Sequence, residues 1–143
     1  MFYLLDVNVL IALADPSHQF HAAFNRWFIK NNRPVLATCP LTENGFLRIY
    51  GHPDYPGGPG SPHLAMIPLL ALRNRSDSVF LPDDFSLAES SSGISLYRAT
   101  PRQLTDLYLV GLARRHKGRL ATFDRNIRLG AIEQGRSFVE VIS

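Results

Sequence analysis

The stretch MFYLLDVNVLIALADP (residues 1–16) holds two apolar runs, Phe2–Leu5 and Val9–Ala14, with Asp6 between them. The first run, FYLLD, is typical of a strand. Burying a carboxylate is expensive unless another group satisfies its charge, so an acid inside such an apolar stretch needs a partner.

Short apolar strands alternate with helical stretches, which predicts an α/β domain on a mostly parallel sheet. Four more strands are predicted in PVLATC, SVFL, RLATFD and SFVEVI. Helices are predicted at residues 16–32, 41–51, 61–75 and 100–118, with Pro68 kinking or splitting the third of them. A chain of 143 residues is expected to form one domain, residues 1–143.

Two segments have a distinctive composition. The first predicted helix carries aromatic residues at helical spacing, which we expect in the core: Phe20, Phe24, Trp27 and Phe28. Residues 51–61, GHPDYPGGPGS, are rich in glycine and proline and are expected to form an irregular loop. Such a loop either covers a substrate or simply connects two elements.

The composition favours a polyanionic partner. Fifteen basic residues, thirteen of them arginine, exceed twelve acidic residues, and residues 98–143 hold nine bases against four acids. Arginine binds phosphate through a planar fork of N–H groups, which suits nucleic acid, although codon bias toward arginine gives the same composition.

Other features favour a soluble cytoplasmic protein. No apolar run reaches the roughly 20 residues of a membrane span. The N-terminus has no basic leading segment of the kind found in signal peptides. The single cysteine, Cys39, excludes an intrachain disulfide.

Three acidic residues are predicted at one edge of the sheet. Asp6 follows the first strand, Asp124 follows RLATF, and Glu43 lies in the first turn of the helix after the second strand. Ligands of open parallel sheets bind beyond the carboxyl ends of the strands. Each position also has an ordinary explanation, because Asp6 and Asp124 suit turns and the helix dipole favours an acid at Glu43.

Asp106 is predicted to join them from the last long helix. That helix begins with Thr100, Pro101 and Gln103, which have the spacing of a capping box with proline at the first helical position. The residues after Asp106, LYLVGLA, are apolar on nearly every face, so the helix is expected to be buried. In a right-handed crossover its start lies at the carboxyl edge of the sheet.

Four carboxylates in an apolar setting repel one another and need a countercharge. Mg²⁺ and Mn²⁺ prefer oxygen ligands, and such ions activate water and stabilise charge on a phosphate during its transfer. We therefore predict these four acids to be catalytic metal ligands: Asp6, Glu43, Asp106 and Asp124.

Arg125 is the predicted substrate contact, because it directly follows Asp124 where a phosphate would lie. Arg128 is expected to share that face if the segment is helical. Arg115, near the far end of the helix that carries Asp106, is expected to cap that helix or remain in solvent.

Four segments, in this order and spacing, resemble the PIN domain of VapC-type toxins, the ribonuclease components of bacterial toxin–antitoxin pairs: LLDVNVLIAL, LTENGFLRI, QLTDLYLVGLA and LATFDRNI. The resemblance implies a five-stranded parallel sheet flanked by helices, and hydrolysis of RNA phosphodiester bonds with Mg²⁺ or Mn²⁺. It implies that the metal ligands are Asp6, Glu43, Asp106 and Asp124, with Asn8 and Thr122 beside the site. Leu107 departs from the pattern, because a small residue usually follows the helix acid, and it is expected to move the helix slightly without removing a ligand.

The resemblance also implies a homodimer and inhibition by a cognate antitoxin. Three alternatives stay open: a PIN nuclease that processes RNA or DNA without an antitoxin, an inactive RNA-binding PIN domain, and a phospho-acceptor receiver domain. The presence of all four acids disfavours the inactive domain. A receiver domain would have an acid pair after the first strand and a lysine at a later strand end, whereas Val7 and Asn8 follow Asp6 and neither lysine ends a predicted strand.

Overall fold

The computed structural model describes the backbone of residues 1–143 and every side chain except that of Ser90. Strands and α-helices follow one another along the chain as the sequence predicts for an α/β domain. In chain order they are β1 (Phe2–Leu5), α1 (Val7–Ala14), α2 (His21–Lys30), β2 (Val35–Thr38), α3 (Pro40–Tyr50), α4 (Pro62–Arg73), β3 (Ser78–Phe80), α5 (Leu104–Arg115), β4 (Arg119–Thr122) and β5 (Val139–Val141).

The strands form one parallel sheet in the order β3-β2-β1-β4-β5, so the predicted five-stranded parallel sheet is confirmed. The central strand β1 pairs on both sides, and its Tyr3 lies opposite Leu36 of β2 and Arg119 of β4. The chain extends the sheet from β1 first toward β3 and later toward β5. The strand order therefore reverses between β1 and β4, the kind of position where open parallel sheets form their ligand crevice.

Both faces of the central strand β1 are covered, which explains why FYLL is a continuous hydrophobic run. Side chains of a strand alternate between the two faces. Phe2 and Leu4 pack in a cluster with residues of α5, and Tyr3 and Leu5 pack in a second cluster with residues of α1 to α4. This double burial fixes the direction of every side chain near the end of β1.

Helix α1 was not predicted, because its sequence has no polar face. Asp6 caps the helix by accepting a hydrogen bond from the N–H of Val7 at 2.8 Å. The residues from Val9 to Ala12 are all buried. A helix buried on nearly every side shows no 3.6-residue alternation, so it cannot be distinguished from a strand by periodicity alone.

Helix α2 begins later than the sequence predicts. The helix predicted from residue 16 begins at His21, because residues 16–20 form turns. Phe24 and Trp27 are buried as predicted, and Phe28 is half-buried. Phe20, however, lies ahead of the helix and is 39% exposed, so its assignment to the core was wrong.

Pro68 does not split α4, which continues through it from Pro62 to Arg73. A proline inside a helix removes one N–H donor, and it costs stability without always ending the helix. The buried residues Ala65, Leu69 and Leu72 pack this helix against the core on both sides of the proline. Packing therefore holds the helix together where local propensity predicted a break.

Residues 51–61 form the irregular loop that the sequence predicts, and one side chain anchors it. The hydroxyl of Tyr55 donates a hydrogen bond of 2.6 Å to Oδ2 of Asp15. Asp15 is buried, with 7% exposure, and also accepts a hydrogen bond from the N–H of Ser17. Among the described residues, no helix is both long enough and apolar enough to cross a membrane.

Candidate active site

Asp6 lies at the crevice between β1 and β4. Its backbone N–H donates to the carbonyl of Ala121 at 3.1 Å, which continues the pairing of the two strands by one residue. Its Oδ1 accepts from Val7 at the start of α1, and its Oδ2 accepts from the hydroxyl of Thr122 at 3.0 Å. Both carboxylate oxygens are thus oriented by neighbouring elements.

Thr122 links Asp6 to Asp124. It is the last residue of β4 and is 1% exposed. Besides donating to Asp6, its hydroxyl accepts from the N–H of Asp124 at 3.1 Å. Oδ1 of the exposed Asp124 accepts in turn from the N–H of Asn126 at 2.8 Å, a local turn that orients the carboxylate.

Asp106 is the third acid at this crevice. It lies in the first turn of α5 and is half-buried. Burial, followed by the negative charges of Asp6 and Asp124, raises the pKa of Asp106 to about 6. The pKa of Asp6 is also raised, chiefly by burial, although its hydrogen bonds from Thr122 and Val7 act in the opposite direction. Desolvation and mutual repulsion, rather than a neighbouring cation, therefore dominate the electrostatics of these acids.

Glu43 has a different environment. It lies in the first turn of α3, where its Oε2 accepts from the hydroxyl of the buried Thr38 at 2.6 Å. Its Oε1 lies 3.5 Å from Nη1 of Arg73, and the guanidinium of Arg73 also lies over the ring of Phe80, 4.2 Å from its centroid. The sequence did not predict Arg73, because nothing local connects the end of α4 to the start of α3.

The remaining residues expected beside the acids lie on the same elements. Asn8 is exposed in the first turn of α1, two residues after Asp6. Leu107 follows Asp106 and is fully buried in the cluster between α5 and the sheet. The core thus accommodates the Leu107 side chain, and Asp106 remains close enough to Asp6 and Asp124 for their charges, after burial, to raise its pKa.

The arginines with predicted roles lie in different surroundings. Arg125 is exposed and lines a cavity of about 600 Å³ together with Asp124. Arg115 lies in the last turn of α5, where its Nε is 3.4 Å from Oδ1 of Asp84. The expectation that Arg128 shares a helical face with Arg125 is not met, because the segment forms a turn and irregular chain.

The acidic residues fit a hard divalent cation in chemistry but are not a preformed ligand set. Among the described residues, no three His, Cys, Asp or Glu side chains already form a group able to hold an ion. The available donors are carboxylate oxygens, which Mg²⁺ and Mn²⁺ prefer. The pKa values of Asp6 and Asp106 are raised first by burial and then by neighbouring negative charge, and a bound cation would stabilise the ionised form of both.

Comparison with known proteins gives a consistent result over nearly the whole chain. A sequence model of the PIN domain matches residues 3–132. The chain is 41% identical over 124 residues to Ribonuclease VapC39 of Mycobacterium tuberculosis, which covers 87% of this chain and 89% of that protein. It is 40% identical over 141 residues to Ribonuclease VapC38 of the same organism, covering 98% and 97%. Ribonuclease VapC44, also of Mycobacterium tuberculosis, is 36% identical over 129 residues, 90% of each chain.

Proposed function

The chain belongs to the PIN domain family, and on that premise we propose that it is a metal-dependent endoribonuclease, the toxin of a toxin–antitoxin pair. The observation that carries the proposal is the group of three acids at the β1–β4 crevice, where burial and like charge raise the pKa of Asp106 to about 6. The similarity to proteins named as ribonucleases, at 36–41% identity over most of the chain, supports the same reaction.

The residues proposed to hold Mg²⁺ or Mn²⁺ are Asp6, Asp106, Asp124 and, in the first turn of α3, Glu43. Such an ion supplies charge stabilisation at the phosphate and an activated water molecule. Thr122 is proposed to keep Asp6 and Asp124 in register through its two hydrogen bonds. Thr38 and Arg73 orient Glu43 in the same manner from the other side of the site.

Arg125 is proposed to bind the RNA backbone. It is exposed, it follows Asp124, and both residues line the same cavity. A guanidinium there can donate two hydrogen bonds to a phosphate next to the one being hydrolysed. The proposal also includes a cognate antitoxin and a homodimer, which rest on the family resemblance, and a cytoplasmic location, where such an RNA substrate is found.

The test is cleavage of RNA by the purified chain with and without Mg²⁺ or Mn²⁺, followed by sequencing of the RNA ends. We expect Asp6→Asn and Asp106→Asn each to lower the cleavage rate by roughly a hundredfold or more, since each removes a proposed ligand. Asp54→Asn is the matched control, because Asp54 is an exposed acid of the 51–61 loop. Circular dichroism checks that every variant is folded. Wild-type rates in both Asp6→Asn and Asp106→Asn would refute the assignment of the site.

The antitoxin part of the proposal needs a separate experiment. Expression of the wild-type chain is expected to arrest growth, and co-expression of the product of a neighbouring small gene is expected to relieve the arrest. The Asp106→Asn variant controls for burden, because it should be produced without arresting growth. RNA cleavage in vitro without any arrest in cells would favour a processing nuclease that has no antitoxin.

A further inference from the structure

Three aromatic side chains cluster beside the acidic residues. The ring of Phe20 lies 4.7 Å from that of Phe123 between centroids, and the ring of His18 lies 6.3 Å from Phe123 in a stacked arrangement. His18 and Phe20 are 5.9 Å apart, and Nδ1 of His18 accepts a hydrogen bond from the N–H of Phe20 at 3.0 Å. Three mutual contacts and a backbone hydrogen bond therefore hold the rings in place.

This cluster is not part of the core. Phe20 precedes α2 and is 39% exposed, and Phe123 is only half-buried. An exposed phenylalanine whose ring is fixed by two neighbours loses little conformational entropy when another ring packs on it. Phe123 is also the residue immediately before Asp124, which ties the cluster to the proposed site.

The exposed side of the cluster opens into a groove. The cavity of about 600 Å³ is lined by Phe20, Phe123 and Asp124 and also by two bases, Arg26 and Arg125. Its volume lies within the about 300–1,000 Å³ of small-molecule sites. The groove thus combines an aromatic surface, positive charge and one of the proposed catalytic acids.

The positive charge continues away from the acids. A second cavity, of about 410 Å³, shares Arg26 with the first and adds Lys30. Glu140 lines this second cavity, and its Oε1 accepts a hydrogen bond from the indole N–H of Trp27 at 3.2 Å. The bases Arg125, Arg26 and Lys30 therefore follow one another across the two cavities, where they can bind a phosphate backbone, and Glu140 is an acid at the far end of this path.

We infer that this groove is a nucleotide subsite for single-stranded RNA, in which a base adjacent to the scissile phosphate stacks on Phe20 while Arg26 and Arg125 bind the flanking phosphates. Proteins bind unpaired RNA by combining aromatic rings, on which bases stack, with basic grooves that follow the backbone. The inference rests on the proposed ribonuclease function and extends it to the part of the substrate outside the scissile bond.

The test uses a short single-stranded RNA that carries 2-aminopurine, whose fluorescence falls when it stacks on an aromatic ring. The full chain carries Asp106→Asn so that the RNA remains intact. We expect Phe20→Leu, which keeps apolar volume but removes the ring, to abolish the quenching and weaken binding about fivefold or more. Phe20→Trp is expected to restore both signals. Tyr97→Leu is the matched control, because Tyr97 is 98% exposed and lines neither cavity.

An abasic RNA separates stacking from other effects. Phe20→Leu is expected to leave its affinity unchanged, since there is no base to stack. Equal affinity of Phe20→Leu and the parent for the intact RNA would overturn the subsite, as would an equal loss for the intact and abasic RNAs. The first of these results is also expected if the groove receives a protein segment instead of RNA.

Cleavage by the wild-type chain distinguishes failure of the subsite from failure of the proposed function. RNA cleavage with Mg²⁺ or Mn²⁺, together with no effect of Phe20→Leu, would overturn the subsite alone. Absence of cleavage with either cation would overturn the ribonuclease proposal, whereas a loss of affinity in Phe20→Leu confined to RNA with a base would still support the stacking surface.

Discussion

Two regions at the same edge of the sheet carry acidic residues in opposite electrostatic settings. At the β1–β4 crevice, burial is the main cause of the raised pKa of Asp6 and Asp106, and the negative charges of neighbouring acids add to it. On the β2 side, Glu43 lies 3.5 Å from the guanidinium of Arg73. No cation is among the groups that shift the pKa of Asp6 or Asp106, whereas Glu43 has the guanidinium of Arg73 as its partner.

The difference follows from the helix next to each strand end. Asp106 is carried by α5, whose following residues are buried and apolar, so this helix brings a charge to the crevice without a counterion. Glu43 lies on α3, and α4 packs beside α3 and ends in Arg73. Acidic residues at a sheet edge are therefore not equivalent, and the ones with unrelieved repulsion have most to gain from a bound cation.

The largest expected effect that tests this comparison is cation binding to the folded chain. A cation that binds only the folded state at about a hundred times its dissociation constant stabilises it by about 2.7 kcal/mol. We expect Mg²⁺ or Mn²⁺ to raise the Tm of the wild type and not that of a variant with both Asp6→Asn and Asp106→Asn. Glu43→Gln is expected to retain part of the rise. A titration to millimolar cation that leaves the wild-type Tm unchanged would contradict a metal site at the crevice.

Removing single charges without any cation should change stability in opposite directions. In a chelating buffer at pH 7, Asp106→Asn is expected to raise the free energy of unfolding by roughly 1 kcal/mol, because it removes a charge that burial and then the neighbouring acids disfavour, an effect that solvent screens in part. Glu43→Gln is expected to lower it by up to about 1 kcal/mol, because Arg73 loses its partner. Denaturant unfolding measures both, and a shift of the same sign in the two variants would show that the regions do not differ.

The same contrast predicts a pH dependence. The pKa of Asp106 is about 6 in the folded chain, against an ordinary value of 3.8. Between these values the folded chain binds more protons than the unfolded chain, so this residue's contribution makes stability fall as pH rises, and the penalty is complete above pH about 6. We expect the difference in unfolding free energy between Asp106→Asn and the wild type to grow from pH about 4 to about 7 without cation. A difference that stays constant over this range would contradict the raised pKa.

The smallest expected effect concerns the backbone of the RNA. Arg125→Ala is expected to reduce the slope of log affinity against log salt by about 0.7, the value for one phosphate contact with a single strand. Arg115→Ala is the matched control, because Arg115 lies in the last turn of α5 and forms an ion pair with Asp84. The affinity is measured over a salt series. If it depends on Arg115 and not on Arg125, the RNA does not bind at the carboxyl edge of the sheet.

The candidate site was predictable from the sequence to the extent that it depends on strand ends. Asp6, Glu43 and Asp124 follow strands of one parallel sheet, and a right-handed crossover brings the start of α5 to the same edge. The contacts that distinguish these acids were not predictable. Arg73 meets Glu43 across 30 residues of sequence and Thr122 meets Asp6 across 116, and no local pattern encodes either distance.

The aromatic residues of the first predicted helix were also only partly predictable from the sequence. Phe20, Phe24, Trp27 and Phe28 have the spacing of one helical face, which predicts a common burial. The chain instead turns between Asp15 and His21, so Phe20 leaves that face and packs on Phe123, more than a hundred residues away. Helical spacing predicts a shared buried face only for residues that lie inside the helix, and Phe20 precedes α2.

By itself, the sequence determined the α/β class, the strands and the edge at which the acids lie, because alternating side-chain direction and strand ends are local properties of the chain. Only the tertiary structure decided that Glu43 has Arg73 beside it while no cation is among the groups that shift the pKa of Asp6 or Asp106, and that Phe20 faces a groove lined by bases. These outcomes depend on which distant segments the packed core brings together. The interaction of two charges depends on their separation in space, and the exposure of a side chain depends on what packs against it, and neither follows from separation along the chain.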